Sequence, residues 1–525
     1  MASSRISLVF SCGDVERVRL AIRQLASPLA VPLPRQGILK LLDTFDWALE
    51  RSGASLLLHE YRTGTQLILV GPRLSVFEDL PIANNKWINV ETIEQPFLRR
   101  SLSEATHQRA LVVQASTPAR GQLFQFPNSQ GMRVATLFFF ELPEINRCHI
   151  LLVTRRGYSS FQHKLSEKIF AALMGLDIKV ERKDPFDMVL GDHQRYKKDY
   201  QSRFALEFEP STYGCIALGQ ALSSEQHRAE INAPWIKDHP DPEFLHDLRV
   251  ALRRTSSLIK SLEPLLGSID TSWFRSELKY FMNATSPVRD LENLGTFTSK
   301  QLDAIKCSPE VEALNSKIAR DVSRNYDELA QLIPSPRFDN LISSWGQIAR
   351  KSLSLALAST PSMNALGSTN GQAENIEVFP KTRVIESARV LLARSGTTLI
   401  RKARKAKKLK TAESLHSLRK EAKTFRYLLE FYEPVLEPAR TRRCINSIKK
   451  LQDALGQHQD TFVQMQLLED LCSTYKIPKS KVAMVFDVLA SDQKIALEDY
   501  RKEIKLFSGP TLFREIQLAT GYRKK

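Results

Sequence analysis

The sequence has no apolar run near the roughly 20 residues that a membrane-spanning helix needs, which argues against membrane insertion. Its first residues, MASSRISLVFSCGD, are too short and polar for a secretory signal, so the cytoplasm is the expected compartment. The six cysteines are scattered, with no CxxC pair and no zinc-type spacing. They read as free thiols in a reducing environment rather than as a disulfide framework or metal site. Walker loop, GxSxG and HExxH patterns are missing, which removes the common routes to nucleotide, acyl and zinc chemistry. No cofactor and no resident metal are expected.

Acidic charge is also in short supply. There are 58 Asp and Glu against 75 Lys and Arg, a formal net charge of +17. Up to residue 210 the balance is 27 basic against 22 acidic residues, and beyond it 48 against 36. Most of the excess therefore lies in the C-terminal part, and a polyanionic partner is expected there.

A chain of 525 residues is long enough for two or three domains. Residues 1–212 hold short β-like runs bounded by turn formers: RISLVF, ASLLLHEY, TQLILV, RALVVQA, TLFFFEL, HILLVT and FALEFE. Helical periodicity occurs there at 14–26 and 160–175. This predicts an α+β domain with an antiparallel sheet or barrel. From 213 the texture becomes long amphipathic helices, expected near 214–231, 243–263, 270–294, 297–332 and 336–358. A second series is expected near 382–408, 411–432, 438–456, 459–476 and 480–507. Asp241-Pro242-Glu243 is a helix start, with an N-cap acid ahead of a proline. The segment 360–380, rich in Ser, Asn, Gly and Pro, reads as a linker between bundles at 213–359 and 381–525.

A gapless repeat joins the two series. His246 to Asp290 lies over His416 to Asp460 at constant offset. His246, Leu248 and Arg249 match His416, Leu418 and Arg419, and Arg253 matches Lys423. Glu263-Pro264 matches Glu433-Pro434, Lys279 matches Lys449, and Asp290 matches Asp460. Such self-similarity marks two copies of one structural unit. At about 100° per residue, Arg419, Lys423 and Arg426 fall within about 80° of His416, forming one cationic stripe. His246, Arg249, Arg253 and Lys260 form the other, while Ser256 stands where the second copy has Arg426. Stacked like charges repel and need counter-charge. A solvated face is the ordinary fate of a basic helix. Here the recurrence, the paired histidines and the repeated Lys279/Lys449 favour a ligand.

DPEFLHDLRVALRRTSSLIKSLEPLL followed by LKYFMNATSPVRDLENL resembles the first half of the conserved-histidine α-helical domain, CHAD. SLHSLRKEAKTFRYLLEFYEPVL followed by IKKLQDALGQHQD resembles its second half. The resemblance spans about 213–525 and implies an all-α domain of two pseudo-symmetric helical bundles whose basic helices face a shared groove. It implies binding of inorganic polyphosphate, with localisation to polyphosphate granules as a further expectation. The implied contacts are His246, Arg249, Arg253, Arg254, Lys260, Lys279, His416, Arg419, Lys423, Arg426 and Lys449. Arg289-Asp290 and Asp460 resemble the family's second motif, with the carboxylates orienting basic groups. Arginine grips phosphate bidentately and lysine adds point charges. A histidine beside phosphate gains a proton more readily, so binding should strengthen below about pH 6.5. The stripes carry no aromatic platform for bases, which disfavours nucleic acid. The dense run Arg401 to Lys408 could extend the track. Charge reversal at Arg249 and Arg419 together is expected to abolish binding.

The N-terminal region resembles the CYTH, or triphosphate tunnel, family through LLDTFDWAL at 41–49, TRRGYSSFQHKL at 154–165, and ALEFEP followed by LGQAL. That family folds as a closed antiparallel barrel that binds triphosphate and a divalent metal. Its opening strand reads Glu-x-Glu-x-Lys, whereas the corresponding strand here is Arg5-Ile6-Ser7-Leu8-Val9. Arginines expected near Leu57 and His59 are missing as well. Glu207 and Glu209 resemble a surviving acidic pair, but two carboxylates make a poor Mg²⁺ site. The expectation is a degenerate, catalytically silent CYTH-like domain. A triphosphatase acting through this domain and generic nucleic-acid binding are the alternative functions.

Overall fold

In the computed structural model, the described residues are 9–12, 14–26, 34–71, 75–80, 86–107, 109–155, 157–176, 181–182, 189, 200, 206–238, 240–304, 309–357 and 380–507. The chain divides into two compact units, 1–202 and 203–525, about ten residues earlier than the predicted boundary. Most of the predicted linker, and the strand residues Arg5 to Leu8, lie outside the described residues.

The first unit is built on one antiparallel sheet. Its strands are β1 (Val9–Cys12), β2 (Arg35–Thr44), β3 (Ser55–Tyr61), β4 (Gly64–Val70), β5 (Ser75–Leu80), β6 (Trp87–Ile88), β7 (Leu111–Pro127), β8 (Arg133–Leu142), β9 (Arg147–Thr154) and β10 (Glu181–Arg182). They order as β10-β1-β9-β8-β7-β2-β3-β4-β5, with β6 paired to β7. The sheet curls, bringing β5 near β9, yet among the described residues no ladder joins β5 to β9 or β10. The result is a half-barrel, compatible with a tunnel-type fold.

Alternation along the strands gives the sheet two different faces. Phe124, Leu137, Phe139 and Ile150 pack under α1 (Val15–Leu25) and α4 (Ser159–Met174), the two helices foreseen from periodicity. The opposite face carries Leu39, Leu41, Leu57, Phe138, Phe140 and Leu151. Buried His59 also lies there, its pKa pushed down to about 4 by burial and by nearby Arg35. In LLDTFDWAL the acids build a turn. Asp43 accepts backbone hydrogen bonds from Thr44, Leu49 and Glu50, and Asp46 pairs with Arg51 at 2.7 Å. The FALEFE segment is not a strand where it is described, from 206 to 209. Glu207 and Glu209 are exposed there and fall in the second unit.

The second unit is helical. After α2 (Ala48–Arg51) and α3 (Pro96–Thr106) of the first unit come α5 (Gly214–Asn232), α6 (Glu243–Ser261), α7 (Ser272–Ala284), α8 (Ser286–Ala304), α9 (Pro309–Leu332) and α10 (Pro336–Ser354). The second series is α11 (Val384–Leu409), α12 (Ala412–Tyr432), α13 (Pro438–Thr474) and α14 (Ala483–Phe507). Asp241 accepts from the Glu243 amide at 2.8 Å, but Pro242 is the N-cap and Glu243 the first helical residue, one place later than expected. Three expected boundaries differ. The single helix expected at 297–332 is divided between α8, which already covers 297–304, and α9, which starts at Pro309. The single helix expected at 270–294 breaks at Thr285, because Pro287 has no amide proton and crowds the preceding turn. The two expected at 438–456 and 459–476 are one helix, in which Gln457 occupies the place equivalent to Pro287.

The bundles do not have separate cores. One cluster runs from Leu218, Leu248 and Trp345 in the first series to Leu392, Leu418 and Leu455 in the second. A smaller cluster joins Leu294 and Leu314 to Leu468 and Leu489. The repeat also extends upstream of His246. Gly214 donates its amide to Thr382 O, and Val384 donates to Thr212 O, each at 2.8 Å. These reciprocal bonds link positions that are equivalent under the repeat offset. Equivalent residues can bond reciprocally only beside the axis that relates the copies, so a pseudo-two-fold passes between Tyr213 and Arg383.

Candidate functional site

The two stripe helices form by the same pattern. In α6, Leu245, Leu248, Leu252, Leu258 and Ile259 are buried. In α12 their equivalents Leu415, Leu418, Ala422, Leu428 and Leu429 are buried. Each apolar stripe is fixed against the shared core, and each helix ends in a 3-10 turn at its Glu-Pro pair. The cationic flanks are thereby placed by periodicity. The helices pack on each other, and the flanks converge.

Convergence is clearest at equivalent positions. Lys423 feels the charge of Arg253, its counterpart, and Asp290 feels that of Asp460, its counterpart. The pseudo-two-fold therefore runs through the cationic face. Among the described residues neither Arg253 nor Lys423 forms an ion pair or side-chain hydrogen bond, and the Nε of Arg253 is buried without an acceptor. Burial, then Arg419 and Arg253, push the Lys423 ammonium down to about 7. An anion laid here would reverse that penalty.

The flanking cations are partly satisfied by the fold. Arg249 donates from Nη1 to Met282 O at 2.9 Å and to Thr285 Oγ1 at 2.6 Å, and from Nη2 to Ser286 Oγ at 3.2 Å. Burial is the main cause of its fall to about 10. The position equivalent to Ser286 is Gly456, which lies beside Arg419 and offers no hydroxyl. Arg419 reaches Asp460 at 3.4 Å instead. Asp290 is raised by burial, with Asp460 adding to the rise and Arg249 and Arg419 opposing it. Both carboxylates thus stand among the arginines, as the second motif implies.

His246 is half-buried and lowered chiefly by burial, while Glu243 opposes the shift and Arg289 and Arg253 reinforce it. His416 is exposed and also lowered, first by desolvation and then by Lys420, Arg419 and Lys423. Both imidazoles stay neutral to lower pH than a free histidine does. Lys260, Lys279 and Lys449 are exposed. The basic run on α11 exposes Arg401, Arg404, Lys405 and Lys408, whereas Lys402 pairs with Glu421 at 2.7 Å.

Arg254 departs from the expected contact set. It is buried, donates to Glu225 Oε1 at 2.7 Å and approaches Glu430 at 3.8 Å. Its guanidinium is committed to the interior and cannot also lie on an open stripe. Glu225 and Glu430 escaped the sequence reading. The acid one turn after Arg426 is their one local signal, since Lys260 occupies that place in the first copy.

No group of three or more His, Cys, Asp and Glu that could hold a metal ion occurs among the described residues. No helix there is long and apolar enough to cross a membrane. A family model described as CHAD domain matches residues 220–469. No curated protein matches the sequence. Among solved structures, the CHAD domain from the plant Ricinus communis is similar at 20% identity and TM-score 0.47, over 58% of this chain and 96% of that one. PptA from Streptomyces chartreusis is similar at 15% identity and TM-score 0.39, over 56% of this chain and 99% of that one.

Proposed function

Since residues 220–469 form a CHAD domain, we propose that this chain binds inorganic polyphosphate without transforming it. One observation carries the reading: Arg253 and Lys423, supplied by different copies of the repeat, sit together with no carboxylate partner. Asp460 offsets only part of the repulsion that Arg419 and Arg253 exert on Lys423, and a bound polyanion relieves the rest. Arg249, Arg419, Arg426 and the two histidines extend the face along both helices. A flexible phosphate chain fits such a row because it presents charge at every unit and needs no aromatic platform. Lys260, Lys279 and Lys449 supply outer, salt-sensitive attraction. Localisation to cytoplasmic polyphosphate granules follows as part of the proposal.

We assign the N-terminal unit no catalytic role. The face formed by Leu39, Leu41, Phe138 and Phe140 is largely apolar, with Arg35 and His59 beside it, and among the described residues no cluster of His, Cys, Asp and Glu suits the divalent metal that triphosphate hydrolysis requires. Binding is tested by titrating Arg253→Glu/Lys423→Glu with long-chain polyphosphate beside the wild type. Loss of binding in a folded double variant supports the proposal, and wild-type affinity in that variant overturns it.

A further inference from the structure

The two cationic stripes differ most where the second copy carries Arg426 and the first carries Ser256. Arg426 is not left to solvent. Its Nε lies 3.4 Å from Glu430 Oε1, one turn along α12. The other oxygen of Glu430 lies 3.8 Å from Nη2 of Arg254 on α6. Arg254 in turn donates to Glu225 Oε1 on α5 at 2.7 Å. Glu225 is wholly buried and Arg254 nearly so. Buried Tyr427 sits between the two arginines, with Arg254 at 5.5 Å and Arg426 at 5.2 Å from its ring centroid. The chain Glu225–Arg254–Glu430–Arg426 therefore runs from the core to the cationic face and joins both copies.

This chain has no counterpart across the pseudo-two-fold. The positions equivalent to Glu225, Arg254 and Glu430 are Ser395, Thr424 and Lys260. The network is built on one side only, and that side is the one with the extra arginine. The Arg254–Glu225 contact is a hydrogen bond, and Glu430 meets Arg254 and Arg426 as ion pairs. Arg254 is raised above its ordinary pKa by Glu225 and then Glu430, so its charge is fixed. Glu430 is thereby held from behind and presents one oxygen toward Arg426.

We propose that Glu430 is a positioning residue of the polyanion face, which holds the Arg426 guanidinium in place for phosphate. This rests on the polyphosphate reading above. A free arginine loses much rotamer freedom when it grips a ligand, and a pre-set one loses less. The consequence runs against simple electrostatics. Removing a negative charge beside a cationic site ordinarily strengthens anion binding. Removing this one frees Arg426 and weakens it, by about 3- to 10-fold.

The test is a double-mutant cycle on the full chain with long-chain polyphosphate, using Glu430→Gln, Arg426→Ala and the pair. The expected result is weaker binding for each single variant, and no further loss from Glu430→Gln once Arg426 is gone. Glu225→Gln, remote from the face, should weaken binding in the same direction by a smaller factor, which gives a second readout if Glu430→Gln folds poorly. Tighter binding by Glu430→Gln or by Glu225→Gln overturns the proposal, as does an undiminished loss in the Arg426→Ala background. Failure of the wild type to bind polyphosphate sinks the underlying reading instead, so the two failures are distinct.

Discussion

Arg253 and Lys423 are the same position of a repeated unit, and each lies within the electrostatic reach of the other. Equivalent residues become neighbours only at the axis that relates the copies. The cationic face is therefore one surface assembled from two halves.

That relationship selects the most informative substitution. Charge reversal at Arg249 and Arg419 is the choice the repeat alone suggests, but Arg249 makes three hydrogen bonds within the fold. Arg253→Glu with Lys423→Glu breaks no such bond. Two charge-assisted contacts at about 1.5–3 kcal/mol each predict at least about a 100-fold loss of polyphosphate affinity. The melting temperature should not fall. Titration followed by thermal denaturation checks both.

Binding should take up a proton. Free Lys423 titrates at about 7, and a bound polyanion raises that value. At pH 8 the free amine is mostly neutral and the bound one charged. Affinity should therefore fall as pH rises above about 7. Calorimetry at pH 8 in buffers of different ionisation enthalpy should show uptake of about one proton, which Lys423→Met abolishes. The depressed histidines act in the same direction at lower pH.

Lys423 should also lower the stability of the empty protein. Its folded pKa lies below its unfolded value, so the unfolded chain binds more protons. The destabilisation is complete below about pH 7 and fades as pH rises toward the unfolded value of 10.5. Lys423→Met should stabilise the protein at pH 6 by on the order of 1 kcal/mol, after allowance for solvent screening. Denaturant unfolding at pH 6 and pH 9 checks the sign, since the gain should shrink at the higher pH.

Arg254 should behave differently from the stripe residues. Arg254→Ala leaves Glu225 buried without its closest partner and should cost about 3 kcal/mol or more in stability. Denaturant unfolding measures this. An unchanged unfolding midpoint would remove the buried network from the account.

The full chain should release no phosphate from inorganic triphosphate with Mg²⁺ or Mn²⁺, and Glu207→Ala should change nothing. A metal-dependent release lost in that variant would restore the triphosphatase alternative.

The sequence made the helical half legible because its periodicity, cap and repeat all act locally. Leu248 and Leu418 mark the buried side, and the matching cations mark the other. The shared core was not legible, because it depends on contacts between distant helices, such as Leu218 against the second series. Arg254 was misassigned for a related reason. It is adjacent to Arg253 in sequence, but one residue is about 100° of helix, enough to turn it from the face into the core. Strand β2 escaped the reading because LLDTFDWAL blends into the turn built by Asp43. The Thr285 break needed the weight of Pro287 inside an otherwise regular pattern.

The most direct measurement is titration of the full chain with long-chain polyphosphate across a salt series, with double-stranded DNA as control. Tight binding that weakens steeply with salt and strongly exceeds DNA binding is the predicted result. Binding no tighter than to DNA would reduce the paired stripes to a generic cationic surface and contradict the proposed function.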